Sequence, residues 1–350
     1  METERSRSNK WLVIWLAVGL FMVFVQILVG GVTRLTGSGL SITRWDIVTG
    51  TIPPLNDIAW EEAFNLYKQT PQYQKINQGM DMSEFKFIFF WEYIHRLWAR
   101  TMGFVFLIPF LFFLLKRSIK KETLRNLGVV VSLAAAAALF GWIMVASGLV
   151  NRPWVNAYKL TVHLGLGISL FIYLFYTFLK ERGFTIELIP NIWRRVMTTL
   201  FILAIIQVCF GGMVSGMKAA LNYPTWPMMN SEWIPEVLLD NTHWNIDSFL
   251  LYDKGGFMAA FVQLVHRSIG YLLFISVMWF AIQWIRSRPK ETHWVPYCLV
   301  GIIVVQVLLG IMVLLGSKGS IPVLYGVLHQ GVGILFLTYL FYIRLKFKSQ

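Results

Sequence analysis

The stretch WLVIWLAVGLFMVFVQILVGGVT, residues 11–33, carries no charged side chain, and as a helix it is long enough to cross the ~30 Å of hydrocarbon in a bilayer. Its closing pattern, Gln26-x-x-x-Gly30-Gly31, returns as Gln207-x-x-x-Gly211-Gly212. One segment therefore raises both questions that decide the fold, whether the chain lives in a membrane and whether it is duplicated.

The rest of the chain answers the first. Apolar stretches recur at about 87–115, 127–150, 158–179, 196–216, 257–285, 294–316 and 322–343, making eight with the first. Hydrophobic residues make up 56% of the 350 residues and charged ones 14%, with a mean hydropathy of +0.59. A soluble chain carries roughly 25% charge and could not hide this much apolar surface. Disorder, collagen and a disulfide-stapled secreted module are excluded by the same composition. Backbone groups in lipid must bond internally, and no alternating barrel pattern appears, so the spans are read as helices. The first span is too long for a signal-peptide core and no small-residue cleavage site follows it, which makes it an uncleaved anchor.

The net charge of +13 could suggest nucleic acid, but its placement argues against that partner. Lys and Arg gather in short segments on one side: Arg5, Arg7 and Lys10, the run 116–125, the run 180–195, 286–290 and 344–348. The positive-inside rule puts both termini and these segments in the cytoplasm. The long connections 34–86 and 217–256 then face the periplasm. Cys209 and Cys298 lie singly in apolar stretches and read as small buried hydrophobes, not as a metal or redox pair.

The duplication continues along the chain. His95-Arg96 in the second span returns as His266-Arg267 in the sixth, Gly141 in the third as Gly310 in the seventh, and His163 in the fourth as His329 in the eighth. Four spans per copy keep both copies in one orientation. The expected architecture is an all-α membrane protein: two parallel tandem four-helix bundles, 1–183 and 184–350, related by a pseudo-twofold axis near the membrane normal.

Of six histidines, His243 and His293 fall in connections and read as solvated. The other four lie within spans, two per copy, and ionisable groups at membrane depth mark function. Counted from the outer helix starts, the two of each copy sit at similar depth. Paired imidazoles facing across an apolar bundle describe a bis-histidine haem site. Zinc is less favoured, because no carboxylate or thiolate completes a ligand set. Polar interhelical contacts and ion or proton transport are the competing readings. Arg96 and Arg267 could pair with haem propionates or snorkel to the headgroups. The copies differ at one informative place. Glu92 precedes His95 by one helical turn, whereas Gln263 holds the matching position before His266. A carboxylate beside one pair suits proton-coupled chemistry there, with the second pair holding a haem for structure or electron transfer; alternatively, Glu92 pairs with Arg96 or Arg100.

At these residues the chain resembles the heme A synthase family. The resemblance covers about residues 20–340 and rests on Gly30-Gly31-Val32-Thr33-Arg34-Leu35-Thr36, Ser38-Gly39-Leu40-Ser41 and Trp45. It continues through Glu84-Phe85-Lys86, Glu92-Tyr93-x-His95-Arg96, Tyr158-Lys159-Leu160 before His163, Thr225-Trp226-Pro227-Met228-Met229, His266-Arg267 and His329-Gln330. The resemblance implies two successive hydroxylations of one heme O methyl group, followed by loss of water from the gem-diol to give the formyl group of heme A, for cytochrome oxidase assembly. It implies that His95 and His163 flank heme O as substrate, with Glu92 as the catalytic carboxylate. By the same carry-over, His266 and His329 hold a resident heme b as axial ligands. Heme O, membrane lipid and an electron donor are the partners so implied; a heme O synthase and a homo-oligomer are compatible with it. The outer connections lack the paired cysteines of some bacterial members, so the chain is similar to the cysteine-free branch that includes the mitochondrial type. Acidic Glu2 and Glu4, without an Arg/Ser-rich transit segment, favour a bacterial inner membrane. The alternative is a di-haem cytochrome b-like electron carrier linked to quinone.

Overall fold

The computed structural model describes residues 10–43, 52–148 and 153–349. Trp45, Arg5, Arg7, Glu2 and Glu4, used above, lie outside the described residues. Among the described residues, eight helices are long and apolar enough to cross a membrane, as expected of a multi-pass membrane protein. They are α1 (Lys10–Leu35), α4 (Met82–Leu115), α5 (Lys121–Gly148), α6 (Ala157–Arg182), α7 (Asn191–Gly216), α9 (Phe257–Ser287), α10 (Trp294–Gly316) and α11 (Val323–Lys346). Three shorter helices, α2 (Asp57–Lys68), α3 (Pro71–Lys75) and α8 (Ile246–Leu250), lie in the two long connections. The chain divides into two compact units, Met1–Thr185 and Ile186–Gln350.

Several helices outrun the apolar stretches that announced them, because intrahelical bonding does not stop where hydrocarbon does. α4 starts five residues before the expected 87, at a capping box. The Asp81 carboxylate accepts from Glu84 N at 2.9 Å, and Glu84 Oε2 accepts from Asp81 N at 3.1 Å. His95 is consequently about a turn further from its helix start than His266 is. α4 also contains Pro109, which cannot donate to the carbonyl four residues before it. That carbonyl, Val105 O, accepts instead from the Trp15 indole at 3.2 Å, so the neighbouring helix supplies the missing bond. At its far end α6 stops on left-handed Gly183 (φ 81°), where Phe184 N reaches back to Leu179 O at 3.2 Å.

In the first unit α1 packs on α4 and α6, and α5 packs on α6. Part of the connection after α1 packs on the N-terminal end of α4. There Phe64 and Tyr67 of α2 pack with Phe85, Ile88 and Phe89 of α4. Each such side chain buried from water contributes roughly 1.5–3 kcal/mol, enough to hold two short helices that would not form alone. Burial pushes the Tyr67 phenol up to about 12. Tyr67 donates to Gln72 Oε1 at 3.2 Å, and Gln72 Nε2 donates to Gly37 O at 2.8 Å. That chain of contacts fixes the segment 36–42 above the spans.

In the second unit α7, α9, α10 and α11 close a complete ring, with α7 packed on α9, α9 on α10, α10 on α11 and α11 on α7. A three-residue parallel pairing, β1 (Glu187–Ile189) with β2 (Phe347–Ser349), joins the two ends of this unit, and Lys346 Nζ bonds Glu187 Oε1 at 2.7 Å. An all-helical reading missed this pairing, because three-residue strands have too little periodicity to register. Cys209 and Cys298 are exposed, not buried as expected. In lipid, apolar character does not select the interior.

The Asp81 carboxyl is held below its usual range, chiefly by the Glu84 N–H and then by the Ser83 hydroxyl. Asp81→Ala is expected to lower the thermal midpoint of the detergent-solubilised protein at neutral pH. Because the folded-state value is depressed, this contribution is complete above the ordinary aspartate pKa of about 4 and fades as pH falls through the depressed value. Unfolding scans of variant and parent should therefore converge in acid; a pH-independent difference would contradict the capping assignment.

Candidate functional site

All four intramembrane histidines are seated in the same way. A Cβ placed on Gly30 would lie 3.1 Å from His95 Cε1, and one on Gly141 3.0 Å from His163 Cε1. The matching distances are 3.2 Å for Gly211 to His266 and 2.9 Å for Gly310 to His329. Each imidazole rests on the bare backbone of the neighbouring helix, at a spacing that a side chain would break. The residue four positions before each glycine also faces the ring. Gln26 Nε2 lies 3.2 Å from His95 Nδ1, while Gln207 Nε2 and Gln306 Nε2 each lie 3.4 Å from the Nε2 of His266 and His329. The fourth such position is Ala137. Its carbonyl faces the His163 ring, as the Gln207 carbonyl faces that of His266, but neither histidine Nδ1 reaches hydrogen-bond geometry.

Gln306 and Ala137 went unnoticed in the sequence, although extending Gln-x-x-x-Gly to the seventh span would have found the first. The interlock is reciprocal in the second unit, where Cβ atoms on Gly270 and Gly333 would meet Gln207 Nε2 at 3.3 Å and Gln306 Nε2 at 3.1 Å.

The two rings of the second unit face one another, with centroids 6.3 Å apart and planes at 72°. Two metal–imidazole bonds of ~2 Å, plus the distance from each nitrogen to its ring centre, span roughly 6 Å. His329 Nδ1 lies 3.1 Å from Gln306 O; when it donates there, Nε2 is left as the ligand nitrogen. The donor set, the glycine cradles and the ring separation all fit an iron porphyrin held by His266 and His329. In the first unit His163 lies within electrostatic range of His95, on the same glycine seats.

Above His95, Glu92 is buried, with 2% of its surface exposed. Its Oε2 accepts from Ser41 N at 2.7 Å, Ser41 Oγ at 2.7 Å and Ile42 N at 2.9 Å. Its Oε1 accepts from Arg96, which also donates to Ile42 O at 3.2 Å. The cavity is built for an anion: removing one partner of such a buried pair typically costs on the order of 3–5 kcal/mol. The second unit inverts this polarity. Gln263 Nε2 donates to Tyr223 O at 3.0 Å. Arg267 donates to four carbonyls, Tyr223 at 3.0 Å, Thr225 at 2.9 Å, Pro227 at 3.3 Å and Met228 at 3.1 Å. Where the first connection presents donors to a carboxylate, the second presents the Tyr223 carbonyl to an amide and four carbonyls to Arg267.

Sequence reasoning placed Glu92 and both arginines at the site but did not foresee that they clamp the outer connections. Pairing of Glu92 with Arg96 was one of its alternatives. Arg267 Nε is buried without a partner, leaving one donor for an incoming anion. His243 lies 3.7 Å from Asp240 and the His293 ring contacts Arg288 O at 3.0 Å; both stand apart from the paired histidines.

A family model described as cytochrome oxidase assembly protein matches residues 13–341. Among curated proteins, the chain is 37% identical to a heme A synthase of Flavobacterium psychrophilum, over 95% of this chain and 96% of that one. It is 38% identical to a heme A synthase of a Caulobacter species, over 95% of each chain. A third, from Nitrosospira multiformis, is 38% identical over 99% of this chain and 96% of its own.

Gly310→Val should displace His329 from its seat, since even the first added carbon meets the ring at 2.9 Å. If His329 ligates a haem, the expected outcome is loss of most bound pigment per purified chain, with helical content by circular dichroism unchanged. Full pigment in this variant would contradict the seating.

Proposed function

The chain belongs to the heme A synthase family, and on that premise we propose how its two units divide the work. The chain is an oxidoreductase that converts heme O to heme A. In this reading the first unit takes heme O between His95 and His163 with Glu92 as its acid–base group, and the second holds heme b between His266 and His329. The observation that carries the division is the inversion at one position: a buried carboxylate fed by four donors in the first unit, an amide in the second.

The substrate's iron supplies the oxidising chemistry when heme O is bound; the protein orients it and handles protons. Glu92 Oε2 is saturated by Ser41 and Ile42. Oε1, shared with Arg96, is the oxygen that can take a proton, and Arg96 steadies the charge on either side of that transfer. Ser41 and Ile42 hold the carboxylate still, so its reach to a bound methyl group is set by the backbone. Arg96 and Arg267 sit where each unit's outer connection closes, and the buried Nε of Arg267 supports a propionate contact there. The basic segments support both termini on the cytoplasmic side, with the haem sites toward the opposite face of the membrane. An electron donor, a heme O synthase and further copies of the chain complete the proposed partners.

The di-haem carrier reading has no use for the carboxylate and its four donors. Glu92→Gln is expected to keep bound haem near the parental level while lowering heme A formation by roughly 10²–10⁴-fold, measured by reversed-phase separation of haems from a host lacking its own synthase. Undiminished heme A output would remove Glu92 from the reaction. His266→Ala should lose the resident heme b; unchanged heme b content would refute that ligand assignment.

A further inference from the structure

Where α7 begins and α11 ends, the second unit carries a basic pocket of about 490 Å³, lined by Asn191, Arg194, Arg195, Thr198, Thr199 and Arg344. Three guanidinium groups, two hydroxyls and an amide surround it, and among the described residues no carboxylate lines it. The Arg344 side chain is turned onto α7 and held there. Its Nε donates to Thr198 Oγ1 at 3.2 Å, and that hydroxyl donates in turn to Arg194 O at 2.8 Å. With Nε so engaged, the Nη pair is the edge left to grip an anion through two parallel bonds. Pro190 precedes α7 and offers its first turn no side-chain cap, so the helix dipole adds positive potential at the same place.

The positive-inside rule accounts for basic residues at this end of the bundle, but not for their convergence on one cavity from two helices. The duplication supplies a comparison. In the register that pairs Gln26 with Gln207, the first unit has Val13, Ile14, Ala17 and Val18 at the positions of Arg194, Arg195, Thr198 and Thr199. In the register that pairs His163 with His329, it has Phe178 at that of Arg344. The helix plan therefore does not require the pocket. Nor does the pocket serve the paired histidines: Arg194 and Gly211, which seats His266, are ~26 Å apart along α7 at 1.5 Å per residue.

What continues from the pocket defines the anion. Arg195 and Thr199 also line a groove of about 240 Å³ between α7 and α9, which runs past Leu200, Leu203, Ser276 and Trp279. From Arg195 to Leu203 it extends ~12 Å into the span. Apart from Ser276 these added walls are apolar, and Trp279 is half exposed. A basic head and an apolar trough that share two residues match a single molecule, with a phosphate at the interface and a hydrocarbon chain below it. A soluble phosphate would make no use of the trough, and a neutral lipid none of three guanidinium groups. We propose that this face of the second unit binds one anionic phospholipid, its phosphate held by Arg194, Arg195 and Arg344 and an acyl chain laid along the α7–α9 groove. The lipid so bound bridges α7, α9 and α11 at the end of the unit where β1 pairs with β2. Its recognition does not depend on which haem the unit carries.

The purified full-length chain in nonionic detergent is titrated with dioleoyl phosphatidylglycerol, with dioleoyl phosphatidylcholine and with sn-glycerol 3-phosphate, a headgroup phosphate without acyl chains. Adducts are counted by native mass spectrometry. The expected result is one phosphatidylglycerol retained about tenfold or more tightly than either comparison. Arg195→Gln with Arg344→Gln should weaken that adduct by about tenfold or more. Arg195→Gln alone should do so in smaller measure, covering the case that loss of the Arg344 bond disturbs folding. Arg286→Gln with Lys290→Gln removes two exposed charges that lie on the same side of the membrane but outside the pocket, and should leave the adduct within a factor of about three. Equal weakening by the two pairs, or by neither, overturns the proposal, as does equal retention of phosphatidylcholine. Glycerol phosphate bound as tightly as the lipid would make the pocket a site for soluble anions, which also overturns it. A dimer that replaces the adduct and is lost with the arginines would make this face an interface between copies, with the same consequence.

Discussion

Every feature of the site depends on four imidazoles lying against four glycine backbones. In lipid there is little hydrophobic gain in bringing helices together, so association rests on close packing and hydrogen bonds. A histidine in that setting is costly unless its ring nitrogens are satisfied and its faces covered. Glycine on the neighbouring helix lets each ring approach closely, so that groups one turn away reach His95 Nδ1 and His329 Nδ1, while His163 and His266 keep a buried Nδ1 without a partner. The same approach brings His266 and His329 into the facing geometry an iron porphyrin requires. Helix packing and ligand placement are in this sense one interaction.

The outer connections turn that scaffold into two different sites. Segment 36–42 is positioned by α2 and α3 through Tyr67 and Gln72, and it directs backbone and hydroxyl donors at Glu92. The second connection, folded through Tyr223–Met228, directs carbonyls at Gln263 and Arg267. A carboxylate at position 263 would meet the Tyr223 carbonyl, which has no proton to share, and an amide at position 92 would leave Arg96 without its counter-charge. The loops and the residue at this position therefore belong together.

Turnover and residence ask opposite things of otherwise similar bundles. A ring of four helices packed in sequence, as in the second unit, suits a group that stays; in the first unit α4 and α5 do not pack along one another.

Composition and periodicity alone determined the class of molecule, the number of spans, the duplication and the four histidines. Each of these is written in local runs or exact spacings along the chain. Glu92 was legible too, because the duplication supplied its own internal comparison. The partners of Glu92 were not, since Ser41 and Ile42 lie some fifty residues away and act through backbone N–H groups that every residue possesses. The exposure of Cys209 and Cys298 was likewise hidden, because inward and outward faces are both apolar in a bilayer. That α9 packs on α10 while α4 and α5 do not pack along one another could be decided only in three dimensions, because the apolar faces of membrane helices read alike along the chain.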